Sequence, residues 1–175
     1  MTDTTSCVSN SPDNTILSAA EARRRMLDEV APVAGREFVP VRSALGRVLA
    51  AAIVAPHDVP AHDNSAMDGY AIRFDSLAAE GETRLAVVGT AFAGKAFSGL
   101  VGKGQAVRIM TGAVLPAGAD TVVVQEAVRV EDEVVIVPPG QKGGQNTRRA
   151  GEDLARGAVA LPAGKQVGPA ELGLI

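Results

Sequence analysis

The densest group of chemistry-bearing side chains lies in "PAHDNSAMDGYAIR", residues 60–73. Asp63, Asn64, Ser65 and Asp68 fall within six positions, beside the chain's one tyrosine, Tyr70. Side chains of this kind can hold a cation, orient an attacking oxygen or cap a turn. An EF-hand calcium loop needs oxygen ligands at positions 1, 3 and 5 and glycine at position 6. Counted from Asp63, position 5 is Met67 and position 6 is Asp68, so that pattern fails. Magnesium asks less, one or two carboxylates with waters and a substrate phosphate completing its shell, and Asp63 is the candidate ligand. His57, His62 and the single cysteine, Cys7, cannot assemble a structural zinc site. Ser65 beside His62 and Asp63 is no hydrolase triad, because no G-x-S-x-G elbow exists. A structural alternative stands beside these. Ser65-Ala66-Met67-Asp68 has the spacing of a capped helical turn, and Gly69 follows where a helix-ending glycine would sit. Such a turn, with Met67 tucked into the core, explains Ser65, Asp68 and Gly69 but not His62, Asp63 or Asn64.

Two later stretches carry weaker signals. "RIMTGAVLPAGAD", residues 108–120, runs from a strand end into a Gly-rich turn. Thr111 and Gly112 would offer a hydroxyl and open amides there, a small anion nest; the alternative is a plain strand connection. "GGQNTRRAGED", residues 143–153, puts Arg148 and Arg149 after two glycines. Paired arginines suit phosphate or carboxylate; the alternative is a solvated loop in which either arginine pairs with Glu152 or Asp153. Neither a Walker A sequence nor a G-x-G-x-x-G loop occurs.

The elements that must position these residues follow from hydrophobic pattern and punctuation. Residues 1–15 are rich in Ser, Thr, Asn and Asp and read as a disordered tail. Ser18 and Glu21 make an S-x-x-E box that predicts a helix over 19–30, with Ala22, Met26 and Val30 on its buried face. Phe38–Val41 is predicted extended, followed by a short helix capped by Ser43 and burying Leu45, Val48 and Leu49. "AAIVA", "GYAIRF", "RLAVVGTAF", "QAVRIM", "DTVVVQEAVRV" and "EVVIV" are short apolar runs bounded by turn residues, and they predict a β body over residues 51–145. Asp132 is the expected hairpin tip. Residues 146–175 differ in texture and are expected to join residues 16–50 in a discontinuous domain. Gly168-Pro169 predicts a helix start, and the apolar end at Ile175 suggests a piece of a longer protein. The fold class is therefore α+β, mostly β, with a small helix-containing discontinuous domain into which the β domain is inserted.

Composition narrows the function classes. The 175 residues are 46% hydrophobic but only 3% aromatic, so Val, Ala, Leu and Ile must build the core. Net charge is −3, with 17 basic and 20 acidic residues well mixed, which disfavours nucleic acid as a partner. The N-terminus has no signal-peptide pattern, and no apolar run approaches the ~20 residues of a membrane helix. A lone cysteine fits a reducing compartment, so a cytoplasmic location is expected.

The three stretches "PAHDNSAMDGYA", "RIMTGAVLPAGADTVV" and "GQNTRRAGEDLARG", in this order and spacing, resemble the N-terminal half of the molybdopterin molybdenumtransferase family, MoeA and the gephyrin E domain. The resemblance covers roughly residues 16–175. Val114 stands where the family often has proline, and Thr147 where it often has an aliphatic residue. The resemblance implies an enzyme that inserts molybdate into adenylylated molybdopterin with magnesium, releasing AMP and molybdenum cofactor. It implies an elongated homodimer whose cleft lies between this β domain and the pterin-binding domain of the other subunit. By motif, Asp63 and Thr111 are the catalytic candidates, with Asp63 also the magnesium candidate. Asn64, Ser65, Gly112, Arg148 and Arg149 are substrate-binding candidates: Asn64 and Ser65 either bond the ligand or hold the loop, and Thr111 and the Gly112 amide would contact an anionic oxygen. Asp68 and Gly69 keep the capping role. Without the pterin-binding domain this chain is expected to be inactive. The alternative reading is a β-rich dimerisation or docking module without chemistry.

Overall fold

Ser18 does start a helix. In the computed structural model, which describes residues 17–175, α1 spans Ala19–Asp28 and the Ser18 hydroxyl accepts from the Glu21 amide at 3.2 Å. The expected tail, residues 1–15, lies outside the described residues. Glu21 does not close the box; its carboxylate pairs with Arg24 and Arg25 instead. The expected buried face does not form, and Met26 and Val30 are about two-thirds exposed. An apolar stripe marks the face that can be buried, not what covers it. Among the described residues, those up to Phe38 and those from Val39 onward fall into separate units.

In the second unit, residues 41–43 form a single 3-10 turn in which Ser43 lies inside rather than at the cap. Leu45 and Val48 are exposed, against expectation, and Leu49 is half-buried. The strands then follow in chain order. They are β1 (Ile53–Val54), β2 (Asn64–Ser65), β3 (Gly69–Ile72), β4 (Thr83–Ala91) and β5 (Gln105–Ile109). After these come β6 (Thr121–Val124), β7 (Arg129–Glu131), β8 (Val134–Val137), β9 (Thr147–Arg148) and β10 (Val159–Leu161), before the closing helix α2 (Pro169–Leu174).

Six strands make one sheet in the order β6-β3-β5-β4-β8-β7, with β4 and β5 parallel and the other pairs antiparallel. The run "DTVVVQEAVRV", read as one strand, is two. β6 and β7 occupy opposite edges, and a 3-10 turn over Gln125–Ala127 breaks the run between them. Asp132 forms the β7–β8 tip with φ 53°, a left-handed conformation that aspartate tolerates. Separately from the sheet, β1 pairs with β10, and residues 46–49 exchange backbone hydrogen bonds with 164–167. The predicted start of α2 holds: Pro169 opens the helix, and the Gly168 amide donates to Glu171 Oε2 at 2.9 Å.

Alternation along the strands separates two cores. Tyr70, Ile72, Leu85, Ala106, Val123, Val135 and Val137 pack on one face. Ala71, Ala91, Val101, Val107, Ile109, Ala113 and Val122 pack on the other. The period of two explains how neighbours such as Val122 and Val123 serve different cores. Central β3 is buried along its whole length. Gly69 opens it because nothing larger fits: a β-carbon there would lie 2.1 Å from the Val123 carbonyl oxygen.

Candidate functional site

The three motif stretches converge on one small surface. β2 pairs antiparallel with β9, Asn64 opposite Arg148 and Ser65 opposite Thr147. On its other side Asn64 bridges Val114. Backbone hydrogen bonds tie the three together. Ser65 donates to the Ala113 carbonyl at 3.0 Å, Gly112 to the Ser65 carbonyl at 2.9 Å, Leu115 to the Asp63 carbonyl at 2.9 Å and Ala66 to the Asn146 carbonyl at 2.9 Å. The two-residue strand β2 is thus the middle of a three-segment arrangement that sequence pattern could not show, being too short for alternation to register.

Asp63 is exposed. One carboxylate oxygen accepts from the Ala150 amide at 2.8 Å, and the other has no partner among the described residues. The loop therefore aims the carboxylate without consuming it. Asn64 is half-buried and makes only a long contact, 3.4 Å, from its amide to the His62 carbonyl. Ser65 is 1% exposed. Its hydroxyl donates to the Met67 carbonyl at 2.5 Å and accepts from the Met67 amide at 3.3 Å, so of its two expected roles it holds the loop.

No helical turn forms over residues 65–68, so the expected helix capping by Asp68 and Gly69 does not occur, and Met67 is 45% exposed rather than in the core. Gly69 belongs to β3 for the steric reason given above. Asp68 instead braces the second motif: its Oδ1 accepts from both the Thr111 amide and the Thr111 hydroxyl, each at 2.7 Å. The Thr111 amide, then its hydroxyl, hold the Asp68 carboxyl below the ordinary aspartate range, with Arg108 adding a favourable charge. The expected anion nest is also not available. The Thr111 amide is given to Asp68 and the Gly112 amide to Ser65, so neither is open. Gly112 has φ 77°, the left-handed turn that lets Ala113 reach back to Met110.

Arg148 follows the solvated-loop alternative. Its Nε lies 2.7 Å from Glu152 and its terminal nitrogen 2.6 Å from Asp153. The Glu152 hydrogen bond and then that of Asp153 raise its pKa, and Arg148 with the Arg149 amide holds Glu152 low. The Arg149 side chain is exposed and has no partner among the described residues.

Sequence reasoning passed over Arg108. It sits on β5 opposite Tyr70, donating to the Tyr70 hydroxyl at 3.3 Å and to Gln125 at 3.0 Å. Period-two alternation from buried Ala106 places it on the Tyr70 face, and that was the available signal. Asn146 was also missed; with φ 54° it donates to the Val122 carbonyl and turns the third segment toward β2. An open recess of about 470 Å³ lies along β4 beside Tyr70 and Arg108, and it contains neither Asp63 nor Thr111.

Residues 17–175 match the family model described as MoeA N-terminal region (domain I and II). The chain belongs to this MoeA family. The molybdopterin molybdenumtransferase of Haemophilus influenzae is 40% identical over 161 residues, covering 91% of this chain and 39% of its own length. That of Synechococcus elongatus is 41% identical over 163 residues, covering 90% and 40%. A crystal structure of a molybdopterin biosynthesis moeA protein from Pyrococcus horikoshii superposes with TM-score 0.85 at 34% identity, covering 91% of this chain and 43% of that one. The chain thus spans about two-fifths of the length of these MoeA relatives. The mostly β architecture agrees with theirs.

Proposed function

We propose that this chain supplies one wall of the active-site cleft of a molybdopterin molybdenumtransferase, an enzyme that inserts molybdate into adenylylated molybdopterin and releases AMP. The observation that carries the reading is the convergence of the three motif segments on β2, which leaves an exposed Asp63 with one carboxylate oxygen free. Asp63 orients the attacking oxygen or a magnesium ion. Among the described residues no group of three or more His, Cys, Asp or Glu side chains could cage a metal. That fits magnesium held by one carboxylate with waters and substrate phosphates; the ion would neutralise phosphate charge as AMP departs. Thr111 and Arg149 face the same ligand, Arg149 as the free cation of its pair.

The domain arrangement that accompanies this reading joins residues 16–50 with 146–175 around an inserted β domain, 51–145. The backbone bonds between 46–49 and 164–167 support that join. The enzyme works as a cytoplasmic homodimer, its other wall coming from a pterin-binding domain. No helix among the described residues is long and apolar enough to cross a membrane.

The test is molybdate-dependent AMP release from adenylylated molybdopterin. Residues 1–175 alone should give none above background, while the chain extended by the rest of its relatives' length should turn over. Turnover by residues 1–175 alone would refute the half-cleft. Inactivity of the extended chain would favour a docking module.

A further inference from the structure

Asp68 was expected to cap a helix that does not exist, and the bonds it makes instead carry a chemical consequence. An ionised carboxylate can only accept hydrogen bonds, and a hydroxyl has one proton to give. At 2.7 Å from Asp68 Oδ1, the Thr111 hydroxyl has its one proton committed to that hydrogen bond. The Thr111 amide, bonded to the same oxygen at 2.7 Å, fixes the direction. What remains on the exposed side of Thr111 is lone pairs.

We propose that Asp68 is a positioning residue, which turns Thr111 Oγ1 into a fixed acceptor so that the ligand group meeting it is a hydrogen-bond donor. An N–H of a heterocycle or an O–H of a sugar satisfies it; a bare phosphate or molybdate oxygen does not. This rests on the reading of the Asp63–Thr111 surface as a substrate wall. It narrows that reading by assigning the anionic end of the substrate elsewhere, toward Asp63 with its cation and toward Arg149. The arrangement is braced from behind. Arg108 on β5 adds positive charge near Asp68, and the Asp68 carbonyl accepts from the Gln125 amide at 3.1 Å. The Thr111 amide and hydroxyl, and to a lesser degree the Arg108 charge, hold the carboxylate in its acceptor-only form.

Two experiments decide it. In residues 1–175, the Asp68 carboxyl is titrated by carbon NMR. Thr111→Val should move its midpoint upward, and Thr111→Ser should leave it at the wild-type position. An Asp68 midpoint unmoved by Thr111→Val overturns the inference, whatever the activity. In the extended chain, Asp68→Ala and Thr111→Val should each raise KM for adenylylated molybdopterin about tenfold, the worth of one hydrogen bond. The double variant should match Thr111→Val within about twofold, because both changes remove one unit. Independent, multiplying losses overturn the inference, as does a fall in kcat alone with KM unchanged, which loss of folded protein would give. A wild-type extended chain without AMP release fails the substrate reading instead, and the titration still judges Asp68.

Discussion

In the function proposed above, Asp63 divides chemistry from scaffolding between its two carboxylate oxygens. Its Oδ1 is committed to the Ala150 amide and its Oδ2 is not. Asparagine keeps a carbonyl oxygen for Ala150 but loses the charge. Asp63→Asn in the extended chain should therefore cut turnover by about 10²–10³, the range for one preorganised electrostatic group, with a melting shift under about 2 °C. Asp63→Ala removes the acceptor too and should cost about 1 kcal/mol, a drop of roughly 2–4 °C for a chain of this size. Steady-state AMP release and a thermal melt on the same preparations check both. A melting loss from Asp63→Asn as large as that from alanine would make the charge structural.

Elements decide which motif residues can touch anything, and here sequence and structure part ways for identifiable reasons. The sheet strands were legible because Val-rich runs between turn residues survive as strands wherever a core lies on one or both faces. Residue type and spacing singled out Asp63, Thr111 and the arginines as candidates, and the resemblance gave them candidate roles. What the sequence concealed is the partner of each short segment. Ser65-Ala66-Met67-Asp68 has the spacing of a capped turn, but Ser65 is held in β2 opposite Thr147 and Gly69 enters β3 against the Val123 carbonyl, so the residues between them form a bend rather than a helical turn. Local propensity lost to a long-range ladder. Gly69→Ala should consequently cost about 1–3 kcal/mol or more through overpacking, read as a lowered urea midpoint with m unchanged. The Thr111 brace makes an acid prediction as well. Asp68 and Glu152 have folded pKa values below their unfolded ones. As pH falls the unfolded chain takes up protons first, so the stability these groups contribute is complete above the ordinary carboxylate range. It drains as pH drops toward their lowered folded values. The urea midpoint should fall below about pH 5, and less steeply in Asp68→Asn; a midpoint flat between pH 5 and pH 3 would contradict the brace.

For the whole molecule the open question is what covers the apolar residues it leaves in water. Met26, Leu27, Val30, Val33 and Phe38 in the first unit are more than half exposed, as are Leu45 and Val48 in the second. Isolated exposed apolar side chains are ordinary, but a helix with Met26 and Leu27 on it and Val30 just past its end leaves an apolar stripe that water does not favour. The same stripe is why the sequence predicted a buried face that the first unit by itself does not bury. The homodimer proposed above would supply cover, and it is also what the proposed cleft between subunits requires. Replacing both Met26 and Val30 by glutamate should then shift sedimentation toward the monomer. The urea midpoint should hold to within about 0.5 kcal/mol, as for exposed positions. The same variant in the extended chain should lose AMP release in step with the loss of dimer, although neither residue lies near Asp63 in sequence. Full activity in a monomeric variant would show that both walls of the cleft come from one subunit.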